Sequence, residues 1–193
     1  MGIPAFLWLW IIGVVPLTYF IQKVHKMTQA TNQKLSITAA LGSSDIASGV
    51  MGCMLKTENH VNSCGIDLTL LELIRYRVSL INGCAYCIDM HFKEALAAGE
   101  TAQRMTSLSI WREAPYYTDK ERVVLNWAEA LTDLPHAGLT HEENRLVEAT
   151  KALKDYFSAK EISELTLVVI QINAWNRLAK TFDFGVGSFQ VTN

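Results

Sequence analysis

Leu70-Leu71-Glu72-Leu73-Ile74-Arg75-Tyr76-Arg77-Val78-Ser79-Leu80-Ile81-Asn82-Gly83-Cys84-Ala85-Tyr86-Cys87-Ile88-Asp89-Met90-His91 decides the fold. Asp67 stands where a carboxylate caps a helix, the apolar residues then run on to about Leu80, and Asn82-Gly83 breaks the pattern. A second helix is expected from Cys84 to Ala98, with Gly99 as its stop. The stretch therefore reads as an antiparallel helical hairpin that opens its second arm on a Cys-x-x-Cys pair.

Outward from the hairpin, the helical reading holds. Three later segments open on a hydroxyl followed three residues on by a glutamate, a pairing that satisfies orphan amides at a helix start: Thr118 with Glu121, Thr140 with Glu143, Ser158 with Glu161. Val124, Leu125, Ala128 and Leu131 follow the first at helical spacing, and Leu165, Val168, Val169, Ile172 and Leu178 follow the last. Strand alternation is nowhere sustained, so the expected fold class is all-α. A chain of 193 residues, half of them hydrophobic, suits one buried core. A net charge of −2 gives no electrostatic footing for nucleic acid.

Four cysteines are too few for a secreted disulfide framework, and two of them form the Cys-x-x-Cys, which points to redox or metal chemistry in a reducing compartment. A cysteine at a helix start has its thiolate stabilised by unpaired amides and the helix dipole. Two intervening residues let the sulfurs meet on the first turn, so one can be oxidised and the other resolve it as a disulfide. His91 lies four residues after Cys87 and shares its helix face. Glu72 stands ten residues before Asn82 and His91 eight after Gly83, roughly 15 and 12 Å from the turn, so the two can face each other across the hairpin. A carboxylate that orients an imidazole, which exchanges protons with a thiol, is a known way of activating a nucleophile near neutral pH. The candidate catalytic set is Cys87, Cys84, His91 and Glu72.

Other readings stay open. Glu72 also suits a first-turn acid held by the helix dipole. Cys84, Cys87 and His91, with His60, Cys64 or Glu72 as a fourth donor, have zinc-ligand types, although no second Cys-x-x-Cys accompanies them. A thioredoxin-type fold is disfavoured, because no strands surround the pair. No Walker or Gly-x-Gly-x-x-Gly signature supports a nucleotide cofactor.

The run from Leu70 to His91 resembles the core motif of the alkylhydroperoxidase D and carboxymuconolactone decarboxylase superfamily. Trp111-Arg112-Glu113, Trp127-Ala128-Glu129-Ala130-Leu131-Thr132 and Ile172-Asn173-Ala174-Trp175-Asn176-Arg177 resemble later segments of it, so the likeness covers roughly residues 50 to 182. It implies an all-helical, alkylhydroperoxidase D-like domain that assembles as a trimer or larger homo-oligomer. It implies that Cys87 is the attacking, sulfenic-acid-forming cysteine and Cys84 its resolving partner, with Glu72 and His91 as relay. The activity expected is that of a thiol peroxidase or disulfide oxidoreductase. It consumes a peroxide, is recharged by an external dithiol and needs no bound cofactor or metal. The alternatives are a structural or metal-binding Cys-x-x-Cys module and a carboxymuconolactone decarboxylase-type enzyme. One departure matters: the best-studied branch has a histidine between its cysteines where this chain has Tyr86, a poor base at neutral pH.

The N-terminal part lies outside the likeness. Residues 1–27 form an apolar segment, uncharged up to Gln22 and nearly membrane-length as a helix; Lys23, Lys26 and Lys34 follow with no acid before Asp45. They are expected to form an added N-terminal helix, a possible membrane anchor that leaves the domain cytoplasmic, although Met27 offers a second start. Residues 28–44 read as a linker and 45–193 as the helical domain.

Overall fold

The computed structural model describes residues 41–134 and 140–191, together with Thr18, Tyr19, Ile21 and Gln22; side chains of residues 140–144 are outside the description. Most of the expected anchor helix and most of the 28–44 linker therefore lie outside the described residues. Among the described residues no helix is long and apolar enough to cross a membrane. The chain divides into two units after Thr38, and the second, from Ala39 onward, holds the hairpin and the core.

Among the described residues, seven α-helices build this unit: α1 Ser48–Ser63, α2 Leu68–Asn82, α3 Ala85–Ala97, α4 Ala102–Ser107, α5 Asp119–Thr132, α6 Thr140–Leu153 and α7 Ala159–Thr181. Short 3-10 turns stand at Ser43–Asp45 and Leu108–Ile110. No strand occurs among the described residues. The starts follow local chemistry. The Asp67 carboxylate accepts from the Leu70 amide at 3.1 Å, and the boxes at Thr118 with Glu121 and Ser158 with Glu161 are closed in both directions. The third expected box falls on side chains outside the description, where α6 begins at Thr140 itself.

α2 runs through the middle, against α3, α5 and α7, and buries residues all round its circumference from Leu70 to Tyr76. One apolar cluster joins Leu71, Ile74 and Val78 of α2 to Val124 and Trp127 of α5 and Leu165, Val168 and Ile172 of α7. A second joins Leu73 and Tyr76 to Ala95, Met105, Leu108, Trp111 and Leu125. Each fully buried aliphatic side chain there contributes about 2 kcal/mol. A helix in that position also buries its polar residues, which must then find partners. Ser79 accepts from the Asn176 side-chain amide at 3.0 Å, and Asn82 donates to Asn173 at 3.0 Å and Asn176 at 2.8 Å. These bonds tie the end of α2 to α7.

The hairpin turn needs Gly83, whose φ of 60° is left-handed and costs a side-chain-bearing residue about 1 kcal/mol or more. Its amide closes the end of α2 on the carbonyl of Leu80. Cys84 then serves as the N-cap of α3, which begins at Ala85, one residue later than the spacing suggests. Beyond α7 the chain turns back at Asp183, and Phe184 packs edge-on against Tyr86 with ring centroids 5.2 Å apart.

Candidate active site

The site grows from the start of α3. Cys84 and Cys87 are joined as a disulfide, with their α-carbons 5.4 Å apart. Both sulfur-bearing residues are buried, and the Cys84 sulfur accepts from the Cys87 amide at 3.4 Å. A sulfur in this position takes the place of the oxygen that usually caps a helix, and it receives the positive end of the helix dipole. Tyr86, Ala179 and Phe184 close around the pair.

Across the hairpin, His91 of α3 meets Glu72 of α2, Nδ1 to Oε2 at 2.8 Å, both nearly inaccessible to solvent. The helical geometry that sets them at similar heights from the turn is thus realised as a direct contact. Two further groups join them. Arg75 donates to the other Glu72 oxygen at 2.7 Å, and Glu94 stands 3.2 Å from His91 Nδ1. Arg75 also donates to Glu58 at 3.1 Å and Asn62 at 2.6 Å on α1. Glu58 in turn accepts from the Trp175 indole at 2.8 Å and from the Gln171 amide. The result is a row of alternating charge: Glu58, Arg75, Glu72, His91, Glu94.

Burial alone would lower the His91 pKa, but the Glu72 charge and the hydrogen bonds to Glu72 and Glu94 outweigh it and lift the value to about 9. Burial likewise opposes ionisation of Glu72, and the adjacent His91 and Arg75 charges override it and hold its carboxyl below the usual range. At neutral pH the pair is therefore a carboxylate and an imidazolium. Since the His91 pKa rises from about 6.5 on folding, the stabilisation this proton brings is complete below pH 6.5 and disappears as pH climbs through about 9. Ring-nitrogen NMR of the oxidised protein should accordingly find His91 doubly protonated at pH 7.5 and losing its proton near pH 9. A neutral ring at pH 7.5 would refute this charge assignment.

The imidazole Nε2 is buried without a hydrogen-bond partner, and no hydrogen bond joins His91 to either sulfur. Cys87, but not Cys84, lines a cavity of about 230 Å3, together with Glu58, Asn62, Tyr86, Met90, Glu94, Trp175, Ala179 and Phe184. A second cavity of about 360 Å3 lies on the Arg75 side and shares Asn62 and Glu94 with the first.

The four residues expected from the sequence stand at the α2–α3 hairpin as two contacts, Cys84 with Cys87 and Glu72 with His91, and no hydrogen bond links one pair to the other among the described residues. Arg75, Glu94, Glu58, Asn62 and Trp175 escaped that reading. Arg75 and Glu94 carried a usable signal, each being three residues from Glu72 or His91 on the same helix. The zinc donor set is not assembled: both sulfurs are in the disulfide, and His60 pairs with Glu164 at 2.8 Å. Among the described residues, the one group of three acidic, histidine or cysteine ligand atoms within 4.8 Å of one another is Glu72, His91 and Glu94, without a cysteine.

The hairpin thus combines a buried sulfur pair at a helix start with a buried carboxylate–imidazole contact, in a scaffold that is all-helical among the described residues. Residues 51–130 match the carboxymuconolactone decarboxylase family. The uncharacterized protein YdfG of Bacillus subtilis (strain 168) is 35% identical over 135 residues, spanning 70% of this chain and 88% of the relative. An Agrobacterium tumefaciens protein of unknown function, described as a candidate antioxidant defence protein AhpD, has a crystal structure that superposes with a TM-score of 0.65. It is 35% identical, over 76% of this chain and 94% of that one. A peroxidase-related protein from Silicibacter sp. TM1040 shares the fold at a TM-score of 0.58 and 21% identity, over 74% of this chain and 72% of that one. The chain belongs to the alkylhydroperoxidase D-like and carboxymuconolactone decarboxylase-like superfamily. That membership gives it a peroxidase-related or decarboxylase-like role, in a family whose members are typically enzymes.

Proposed function

We propose that the protein is a thiol peroxidase in which Cys87 attacks and Cys84 resolves. The observation that carries this reading is the placement of Cys87 on a cavity wall while Cys84, its sulfur bonded to that of Cys87, stays outside the lining. The Cys87 thiolate attacks the terminal oxygen of a hydroperoxide; the O–O bond breaks, the alkoxide leaves and takes up a proton, and Cys87 becomes a sulfenic acid. The Cys84 sulfur then attacks Cys87, water departs, and the Cys84–Cys87 disulfide forms. An external dithiol returns two electrons and two protons and reopens it.

The imidazolium of His91 supports the thiolate electrostatically and carries a proton for the leaving oxygen, while Glu72 holds the ring charged and oriented. Tyr86, whose hydroxyl pKa is pushed up by burial and by Glu94 and Asp89, supplies packing rather than a base. In this reading the domain works in the reducing cytoplasm as a trimer or larger assembly of identical chains. The test is a thiol count on reduced protein before and after one equivalent of peroxide, with mass spectrometry locating the bond. Loss of two thiols as a Cys84–Cys87 disulfide is the expected result. Four thiols surviving with the peroxide unconsumed would overturn the assignment.

A further inference from the structure

The walls of the Cys87 cavity carry an uneven charge. Among the described residues, its ionisable lining includes two carboxylates, Glu58 and Glu94, and no lysine, arginine or histidine. The compensating cations are set behind them. Arg75 opens onto the neighbouring cavity, and His91 stands behind Glu94 with its side chain almost wholly buried. Across the row, three carboxylates face two cations, leaving one negative charge in excess. The two wall carboxylates differ in how firmly they are neutralised. Glu58 is held by Arg75, Gln171 and the Trp175 indole, whereas Glu94 meets only His91 among the described residues and keeps 35% of its side chain exposed. The rest of the wall is mostly apolar: Met90, Ala179 and the rings of Tyr86, Trp175 and Phe184.

We propose that this cavity discriminates by charge and turns away anionic reagents, with Glu94 as the residue that sets the selection and Glu58 as its support. A ligand reaching the Cys87 sulfur enters a cavity whose wall carries both carboxylates, and in a half-desolvated cavity a neighbouring like charge costs about a factor of ten. The proposal rests on Cys87 being the reactive thiol, and its test separates the two.

Iodoacetamide and iodoacetate are nearly the same size and differ in charge. With either one the Cys87 thiolate displaces iodide as the carbon–sulfur bond forms. Alkylation of Cys87 in the reduced full chain is followed by peptide mass spectrometry at about pH 7.5, with N-acetylcysteinamide as the free-thiol reference. The ratio of amide to acetate rates at Cys87 should exceed that of the reference by about tenfold at low salt. Glu94→Gln should cut this excess at least about threefold, as should raising salt from about 20 mM to about 0.5 M on the wild type. The salt arm keeps the test decisive if the variant folds poorly. A Cys87 that reacts briskly with a ratio at or below the reference overturns the selection and leaves the peroxidase reading standing. So does an excess that neither salt, Glu94→Gln nor Glu58→Gln reduces. A Cys87 that neither reagent modifies removes the reactive thiol and both conclusions with it.

Discussion

Cys87→Ser should lower the rate of peroxide consumption by about 10^3-fold or more, since a hydroxyl at that position is neither an adequate nucleophile near neutral pH nor able to form the disulfide. Cys84→Ser should behave differently: the first oxygen transfer proceeds, then turnover stops with Cys87 held as a sulfenic acid that a dimedone probe labels. The pair is informative because both residues are buried and nearly isosteric with serine, so loss of fold is not the expected outcome and circular dichroism can check it. Stopped-flow peroxide assays on both variants give the answer. Full turnover by Cys87→Ser would sink the mechanism, because the peroxide would then be consumed without this thiol.

Glu72→Ala should be the most damaging single change to stability outside the apolar core, at about 3–5 kcal/mol, because it leaves charges buried without their partner. Glu72 accepts from Arg75 at 2.7 Å and contacts His91 at 2.8 Å, and all three are nearly inaccessible. In the variant His91 loses the charge that raises its pKa, so the ring should be neutral at pH 7.5. Urea unfolding measures the first effect and ring-nitrogen NMR the second. A variant with unchanged stability and an unchanged His91 titration would show that the Glu72 contact holds neither the fold nor the proton.

Much of this arrangement was legible in the sequence because it is local. The caps at Asp67, Thr118 and Ser158 depend on residues three positions away, and the break at Asn82-Gly83 depends on the conformational freedom of one glycine. Even the Glu72–His91 contact follows from counting residues away from a tight turn. The unread part is tertiary. α1 buries only Val61 among its residues and offers no apolar stripe, so nothing in its own pattern announces that Glu58 and Asn62 will meet Arg75. Trp175 reads equally well as core, and its indole finds Glu58 only because α7 lies beside α1. Residues whose partners lie more than a hundred positions along the chain leave no periodic trace.

The stretch that follows α7 has a practical side. Phe184 rests on Tyr86 between the two cysteines, Lys93 of α3 holds the Phe189 carbonyl at 3.0 Å, and Val191 borders the cavity beside Arg75. A purification handle or fluorescent reporter joined downstream of Val191 is therefore planted beside the Arg75 cavity, which shares Asn62 and Glu94 with the cavity of Cys87. Rates taken on such a fusion describe altered surroundings of the buried charge row. Handles belong elsewhere, and the same neighbourhood makes this stretch the natural place to attach a dye that reports the redox state of the pair.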